Sequence, residues 1–297
     1  MQQIEIWALI PFILMLLSIA TMPLIADKWW EKNSNKLIVA ILLSIPASAY
    51  LILNGMAENL THQILWDYIP FITLLTTLFV VTGGIEILGD IQARPRNNTL
   101  TLATGYILAS LIGTTGASML LIHPLLRINQ QRTHKTHTIL FFIALVANCG
   151  GILTPLGDPP LFLLYLRGAH FGWFMGMFLE WLLVGGILLA IYYFTDRYIY
   201  YQKEDTAAIM ADFREKTDIS FKGKFNIILL VGVVLSVLYI NSSYIPQMND
   251  ENAPLQIKFL REIVLIGITL LSLLTTRKNV RKDNNFTWEP IIEVGVV

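Results

Sequence analysis

The sequence predicts an all-α polytopic membrane protein, and three observations carry that expectation. Of its 297 residues, 55% are hydrophobic and only 14% are charged, with a mean hydropathy of +0.59, whereas a soluble domain carries roughly 25% charged residues. The apolar residues gather in runs of about 20, long enough to cross roughly 30 Å of hydrocarbon. The basic residues are distributed unequally between the polar connections, which sets an orientation. Lys plus Arg (21) balance Asp plus Glu (21), so net charge points to no nucleic-acid or acidic partner. The single cysteine, Cys149, excludes an internal disulfide.

In chain order, the first apolar segment, 6–26, is preceded by Glu5 and by no Lys or Arg. Its Thr21-Met22-Pro23 is a poor cleavage site, so it reads as a retained span and not a signal peptide. Further segments lie at 37–54, 69–88, 100–126, 139–166, 174–194, 225–242 and 259–276, with another beginning at Pro290. If all of them span, the 21 basic residues split 8 to 13 between the two sides and favour neither orientation. If 100–126 instead enters and returns on one side, Arg94 and Arg96 join Arg127, Arg132 and Lys135, and every later loop changes side. Only Arg167, Lys258 and Arg261 then oppose the other 18. The expected topology is therefore a re-entrant hairpin at 100–126, the N-terminus outside, and the loop 195–224 in the cytoplasm.

The centre of that hairpin, Gly113-Thr114-Thr115-Gly116-Ala117-Ser118, suits a turn within the membrane. Its glycines relax the backbone, and its hydroxyls can satisfy groups that leave the helical ladder. Each arm of about 13 residues extends roughly 20 Å, which puts the tip near the midplane. The segment 139–166 must span, yet its middle reads Asn148-Cys149-Gly150-Gly151-Ile152-Leu153-Thr154-Pro155-Leu156-Gly157-Asp158-Pro159-Pro160. Three prolines remove three donors, and an isolated charge at this depth is costly. A discontinuous helix is expected, with halves at 139–149 and 159–166 joined by an unwound stretch whose carbonyls and dipole ends can bind an ion. Asp158 is the candidate proton and cation carrier, because a carboxylate at the start of the second half remains titratable and hydrated.

Other residues read as structural. Gly83–Gly84 and Gly185–Gly186 suit close helix packing. Glu86 and Glu180, on apolar segments, are near enough to the interface to reach it. His123 reads as a packed histidine, and His134 and His137 in the loop RTHKTHT read as solvated. The mixed-charge stretch 195–224 reads as a linker with an amphipathic surface helix.

The pairing of SLIGTTGASMLLIHPLL with NCGGILTPLGDPPLFLLYLRGAHFGWF resembles the ion transporter superfamily, in particular its NhaD-type and citrate-transporter-like sodium/proton antiporters. The resemblance runs from about Asp67 to the C-terminus. It implies two inverted repeats, each with a hairpin and a broken helix, assembled as a homodimer of scaffold and mobile transport domains. It also implies a sodium site between the tip (Thr114, Thr115, Ser118) and the unwound stretch (Asn148, Gly151, Thr154, Asp158). Dicarboxylate-carrying members commonly have Ser-Asn-Thr at the tip and a neutral Gly-Thr-Pro-Pro-Asn in the break. Here the tip is Gly-Thr-Thr-Gly and the break holds Gly-Asp-Pro-Pro. An acidic group there repels a carboxylate and favours a cation.

The expected organisation is N-terminal scaffold helices in 1–66, a first transport repeat in 67–194, a cytoplasmic linker in 195–224, scaffold helices of the second half in 225–287, and the start of a second repeat in 288–297. Trp288-Glu289-Pro290-Ile291-Ile292 echoes Trp66-Asp67-Tyr68-Ile69-Pro70. On that reading the chain is the first half of an inverted-repeat transporter, truncated from roughly 420 to 450 residues. The expected function is sodium/proton antiport by alternating access in the inner (plasma) membrane, with sodium and protons as cargo, lipid and a second copy as partners, and no cofactor. Citrate, dicarboxylate or arsenite transport is the alternative. No second aspartate stands in a comparable motif, so an intramembrane carboxylate-dyad enzyme is disfavoured.

Overall fold

The structure is a computed structural model of the chain, described for residues 5–214, 216–250 and 252–296. Among these residues, six helical stretches are long and apolar enough to cross a membrane: Ile6–Ile25, Asn33–Leu53, Ala57–Thr82, Pro95–Ile128, Thr136–Leu153 and Phe178–Lys203. Their outward faces are apolar, with Leu24 85% and Leu53 86% exposed. Such faces are stable against hydrocarbon and not against water.

The chain divides into two compact units, residues 1–72 with 287–297 and residues 73–286. In the first, α1 (Ile10–Ile25) packs on α2 (Asn33–Leu53). The terminal helix Glu289–Val296 is tied to this unit by Lys36, whose ammonium lies 2.6 Å from Glu293, and by the Tyr68 hydroxyl, which donates to the Gly295 carbonyl at 2.5 Å. α3 (Ile69–Thr82) carries the chain from this unit into the second.

The second unit departs from an all-helical architecture. The span containing α3 starts at Ala57 and stops at Thr82, so the apolar run expected as a helix over 69–88 does not stay helical to its end. After Gly83-Gly84 the chain forms strand β1 (Glu86–Asp90). Its antiparallel partner, strand β2 (Thr217–Lys222), comes only after the helix α4 (Pro95–Ile128) and the helices up to Thr206–Arg214 in the chain. Glu86 is therefore a strand residue paired opposite Lys222, with Nζ to Oε2 at 3.0 Å, and not an interfacial helix residue. The stretch 195–224 contains this strand and the helix Thr206–Arg214.

α4 is bent into a helical hairpin. At Gly113 the backbone leaves the helix (φ 81°, ψ 153°) between arms of 18 and 15 residues. The side-chain amides of Asn98 and Asn129 exchange hydrogen bonds at 2.7 and 3.0 Å, so the open ends of the arms adjoin. Beyond the hairpin, α5 (Thr136–Leu145), a three-ten turn at Cys149–Leu153 and α6 (Pro159–Leu166) form the broken helix. Its first half ends four residues before the expected 149, because Asn148 already lies outside helical geometry (φ −133°, ψ −88°). α7 (Phe178–Thr195), α8 (Lys224–Tyr239) and α9 (Leu260–Thr275) complete the unit. The core includes Leu102, Ala109, Leu125, Leu145, Val146, Phe162, Phe174 and Tyr192.

A buried polar cluster joins the end of the hairpin to the end of α7. The Arg132 guanidinium grips both oxygens of Asp196 at 2.6 and 3.0 Å and reaches Glu204 at 3.3 Å. Glu204 also accepts the Thr133 and His134 amides at 2.9 and 3.0 Å. His137, expected to be solvated, is 7% exposed. Its Nε2 lies 2.9 Å from Asp196, and its ring stacks between Tyr192 and Tyr200. Sequence position alone concealed this, because the burial comes from a carboxylate 59 residues away.

Burial opposes ionisation of Glu204, but the Thr133 and His134 amides and the Arg132 guanidinium outweigh it and hold the carboxyl below its usual value. A carboxyl lowered in the folded state stabilises above its unfolded value of about 4.3 and loses that contribution as pH falls through the lowered value. Glu204→Gln is therefore expected to lower the melting temperature at neutral pH, costing about 2–3 kcal/mol. It should also flatten the acid limb of the melting-temperature profile below about pH 4.3. Parallel acid limbs in the two proteins would refute the assignment.

Candidate functional site

The site is built where the hairpin tip meets the break. Gly113 occupies a region of backbone space that a side chain enters only with strain. The turn it allows presents the Thr114 N–H to the Gly157 carbonyl at 2.9 Å. Behind it, the Ser110 hydroxyl donates to the Gly150 carbonyl, and the Thr154 hydroxyl donates to the Ser110 carbonyl while accepting the Leu156 N–H at 3.2 Å. The break is closely folded on itself, since a Cβ on Gly157 would run into the Gly151 carbonyl. A Cβ on Gly151 would lie 2.9 Å from the Thr114 methyl and 2.6 Å from the Gly157 oxygen. These contacts interlock the two elements.

A third element steadies the interlock. Trp181 on α7 donates its indole N–H to the Gly150 carbonyl at 3.2 Å. Tyr106, on the first hairpin arm, stacks on Trp181 at 4.7 Å and donates its hydroxyl to the Trp181 carbonyl at 2.7 Å. Ser110, Gly157, Tyr106 and Trp181 were not singled out from the sequence. A buried indole needs an acceptor, so a Trp within an apolar span was the available signal, but its partner was not legible.

The sequence-predicted residues fall into two sets. Thr114, Gly151 and Thr154 are brought together in the interlock, and Thr154 has committed its proton to Ser110 and one lone pair to Leu156. Asp158, Thr115, Ser118 and Asn148 remain available. Asp158 is the N-cap of α6, is partly buried, and makes no side-chain capping hydrogen bond. Ser118 Oγ is buried and has no hydrogen-bond partner among the described residues. Thr115 and Asn148 are exposed.

The start of α6 has an unusual donor inventory. Pro159 and Pro160 carry no N–H, and the Leu161 and Phe162 N–H groups both bond to the Asp158 carbonyl at 3.1 and 3.2 Å. The first turn of this helix therefore has no free backbone donor to offer an anion, whereas a carboxylate stands at its mouth.

A hydroxyl-lined hairpin meeting a broken helix within a chain of long apolar helices is transporter architecture. A family model described as "Putative citrate transport" matches residues 1–297. The chain belongs to this family. No curated protein and no solved structure matches it. The family and the apolar helices together make the chain a multi-pass, citrate-transporter-like membrane protein. Within it, the hairpin and the broken helix are the elements whose backbone departs from the helical ladder in the middle of apolar segments.

The closeness of Gly157 to Gly151 yields a direct test. Gly157→Ala must force two backbones apart, at about 1–3 kcal/mol or more for overpacking. It is expected to lower the melting temperature of the detergent-solubilised protein and to abolish transport. Gly186→Ala, whose Cβ would meet nothing within 4 Å, is expected to change neither. Equal behaviour of the two variants would refute the interlock.

Proposed function

We propose that this chain carries out secondary transport in which Asp158 binds sodium when ionised and releases it when protonated, giving sodium/proton antiport. The donor inventory of α6 carries the reading, because a helix whose first four residues leave no N–H free, with a carboxylate at its cap, suits a cation. Sodium is a hard cation that takes about five or six oxygen ligands. Asp158, the unpartnered Ser118 hydroxyl, Thr114, Thr115, Asn148 and the remaining carbonyls near Gly151 and Thr154 are the oxygens at hand. Alternating access then moves the tip and break together between the two faces of an inner (plasma) membrane. The hairpin enters and returns from the cytoplasm, the N-terminus lies outside, and the working assembly is a homodimer.

A second reading has a specific observation in its favour. The family description names citrate, and the second arm of α4 begins directly after the Gly113 break, which puts a second helix start beside the tip. On that reading the cation at Asp158 couples to uptake of a carboxylate held at the tip. Everted vesicles separate the two: collapse of a pH gradient by sodium supports antiport, and accumulation of citrate supports the carrier.

Asp158→Asn is expected to abolish sodium-dependent proton movement while leaving insertion intact, because the amide keeps the shape but cannot alternate between sodium and a proton. Wild-type exchange in this variant would remove Asp158 from the mechanism. The topology has its own test: in a Cys149→Ala background, cysteines at Asn97 and Thr133 should both react with a membrane-impermeant maleimide from the cytoplasmic side. Labelling of position 133 from outside would overturn the hairpin's orientation.

A further inference from the structure

Besides Asp158, the unit that holds α6 buries a carboxylate to which the mechanism above gives no task. Arg261 and Glu262 open α9 and are 7% and 3% exposed. Arg261 Nε and Nη2 both donate to Glu262 Oε1, at 2.9 and 2.6 Å. Sequence neighbours on a helix point in different directions, so a bond between them requires both side chains to turn toward a common point. That point is the face of α6: the Arg261 guanidinium lies over the Phe162 ring, 5.6 Å from its centroid. One turn further on, Tyr165 anchors α6 to α8 by donating its hydroxyl to the Val237 carbonyl at 2.7 Å.

Phe162 follows the N-cap Asp158 by four residues, about one helical turn, so the two are separated by about 6 Å along the axis of α6. On that spacing the guanidinium stands on the order of 10 Å from the Asp158 carboxylate. A bare positive charge at that distance weakens cation binding roughly tenfold at an effective dielectric of about 20. Resting on the cation-binding reading of Asp158, we propose that Glu262 sets the sodium affinity of the site by cancelling the charge of Arg261. Arg261 holds α6 through Phe162, and Glu262 makes that anchor electrically silent toward the ion. Glu262 is thus a positioning and affinity-tuning residue and not a ligand.

The test exploits the sign of the effect. In proteoliposomes at alkaline pH, where proton competition is small, half-saturating sodium is measured for wild type, Glu262→Gln, Arg261→Gln and the double variant. Glu262→Gln leaves a bare cation and is expected to raise the value about tenfold. Arg261→Gln leaves a bare carboxylate and is expected to lower it. The double variant should return to within about twofold of wild type. If the pair served packing alone, both single variants would lose maximal rate with unchanged half-saturation, or would shift it in the same direction, and either result overturns the proposal. Should Glu262→Gln fail to fold with its buried unpaired charge, Arg261→Gln and the double variant still decide the sign. Absence of any sodium dependence in wild type would overturn the cation reading and this inference with it, whereas sodium dependence with same-sign variants overturns this inference alone.

Discussion

A helix that breaks inside hydrocarbon frees backbone donors and acceptors, and water is not there to take them. Each such group left alone costs several kcal/mol. The break between α5 and α6 meets that demand with groups from another segment of the chain. Gly150 gives its carbonyl to Ser110 and Trp181, Gly157 gives its carbonyl to Thr114, and Thr154 turns its hydroxyl to Ser110. The hairpin has the complementary problem, since Gly113 interrupts its ladder and leaves the second arm with an open start. Each element supplies what the other lacks. The two irregular stretches of the chain are thus bonded to one another at Ser110–Gly150, Thr154–Ser110 and Thr114–Gly157.

The same logic operates with charges at the opposite end of the hairpin. Arg132, Asp196 and Glu204 are almost fully enclosed, and removing Arg132 from such a group strands charge at a cost of about 3–5 kcal/mol. The cluster therefore ties the connection between hairpin and broken helix to the end of α7, and the loss of one member is costly because of what it leaves unpaired. The Asn98–Asn129 amide pair closes the arms just beside it. Exposed ion pairs such as Lys222–Asp283 contribute far less, since water screens them.

How much of this was legible in the sequence depended on whether the cause of a feature was local. Gly113 and the Gly150-to-Pro160 run announced themselves, because glycine and proline disrupt a helix wherever they stand and do so without a partner. The charge pattern pointed to a turn within 100–126 for a similar reason, as it counts residues and needs no contacts. Glu86-Ile87-Leu88, by contrast, is too short and apolar to be told from the end of a helix. Its strand identity comes from Lys222-Phe221-Ser220, far along the chain. His137 lay in a polar loop and was read as solvated until Asp196 and the two tyrosines supplied its burial. Thr154 was legible as a polar residue of the break, but the hairpin carbonyl that holds its proton was not. Asp158 kept its expected place at the start of α6 because an N-cap aspartate before two prolines is set by adjacent residues alone.

These two attachments, at the tip and at the open end, constrain what can move. A hairpin joined to the broken helix only at its tip could pivot about that point, and one joined only at Arg132 could swing its tip away from Asp158. Fixed at both ends, it has neither freedom without breaking buried hydrogen bonds or a buried ion pair. Any displacement that carries Asp158 toward either membrane face must therefore carry the hairpin, the break and the end of α7 as one body. Within that body the hydrogen bonds that join the hairpin tip to the break, from Thr114 to Gly157, Ser110 to Gly150 and Thr154 to Ser110, are preserved.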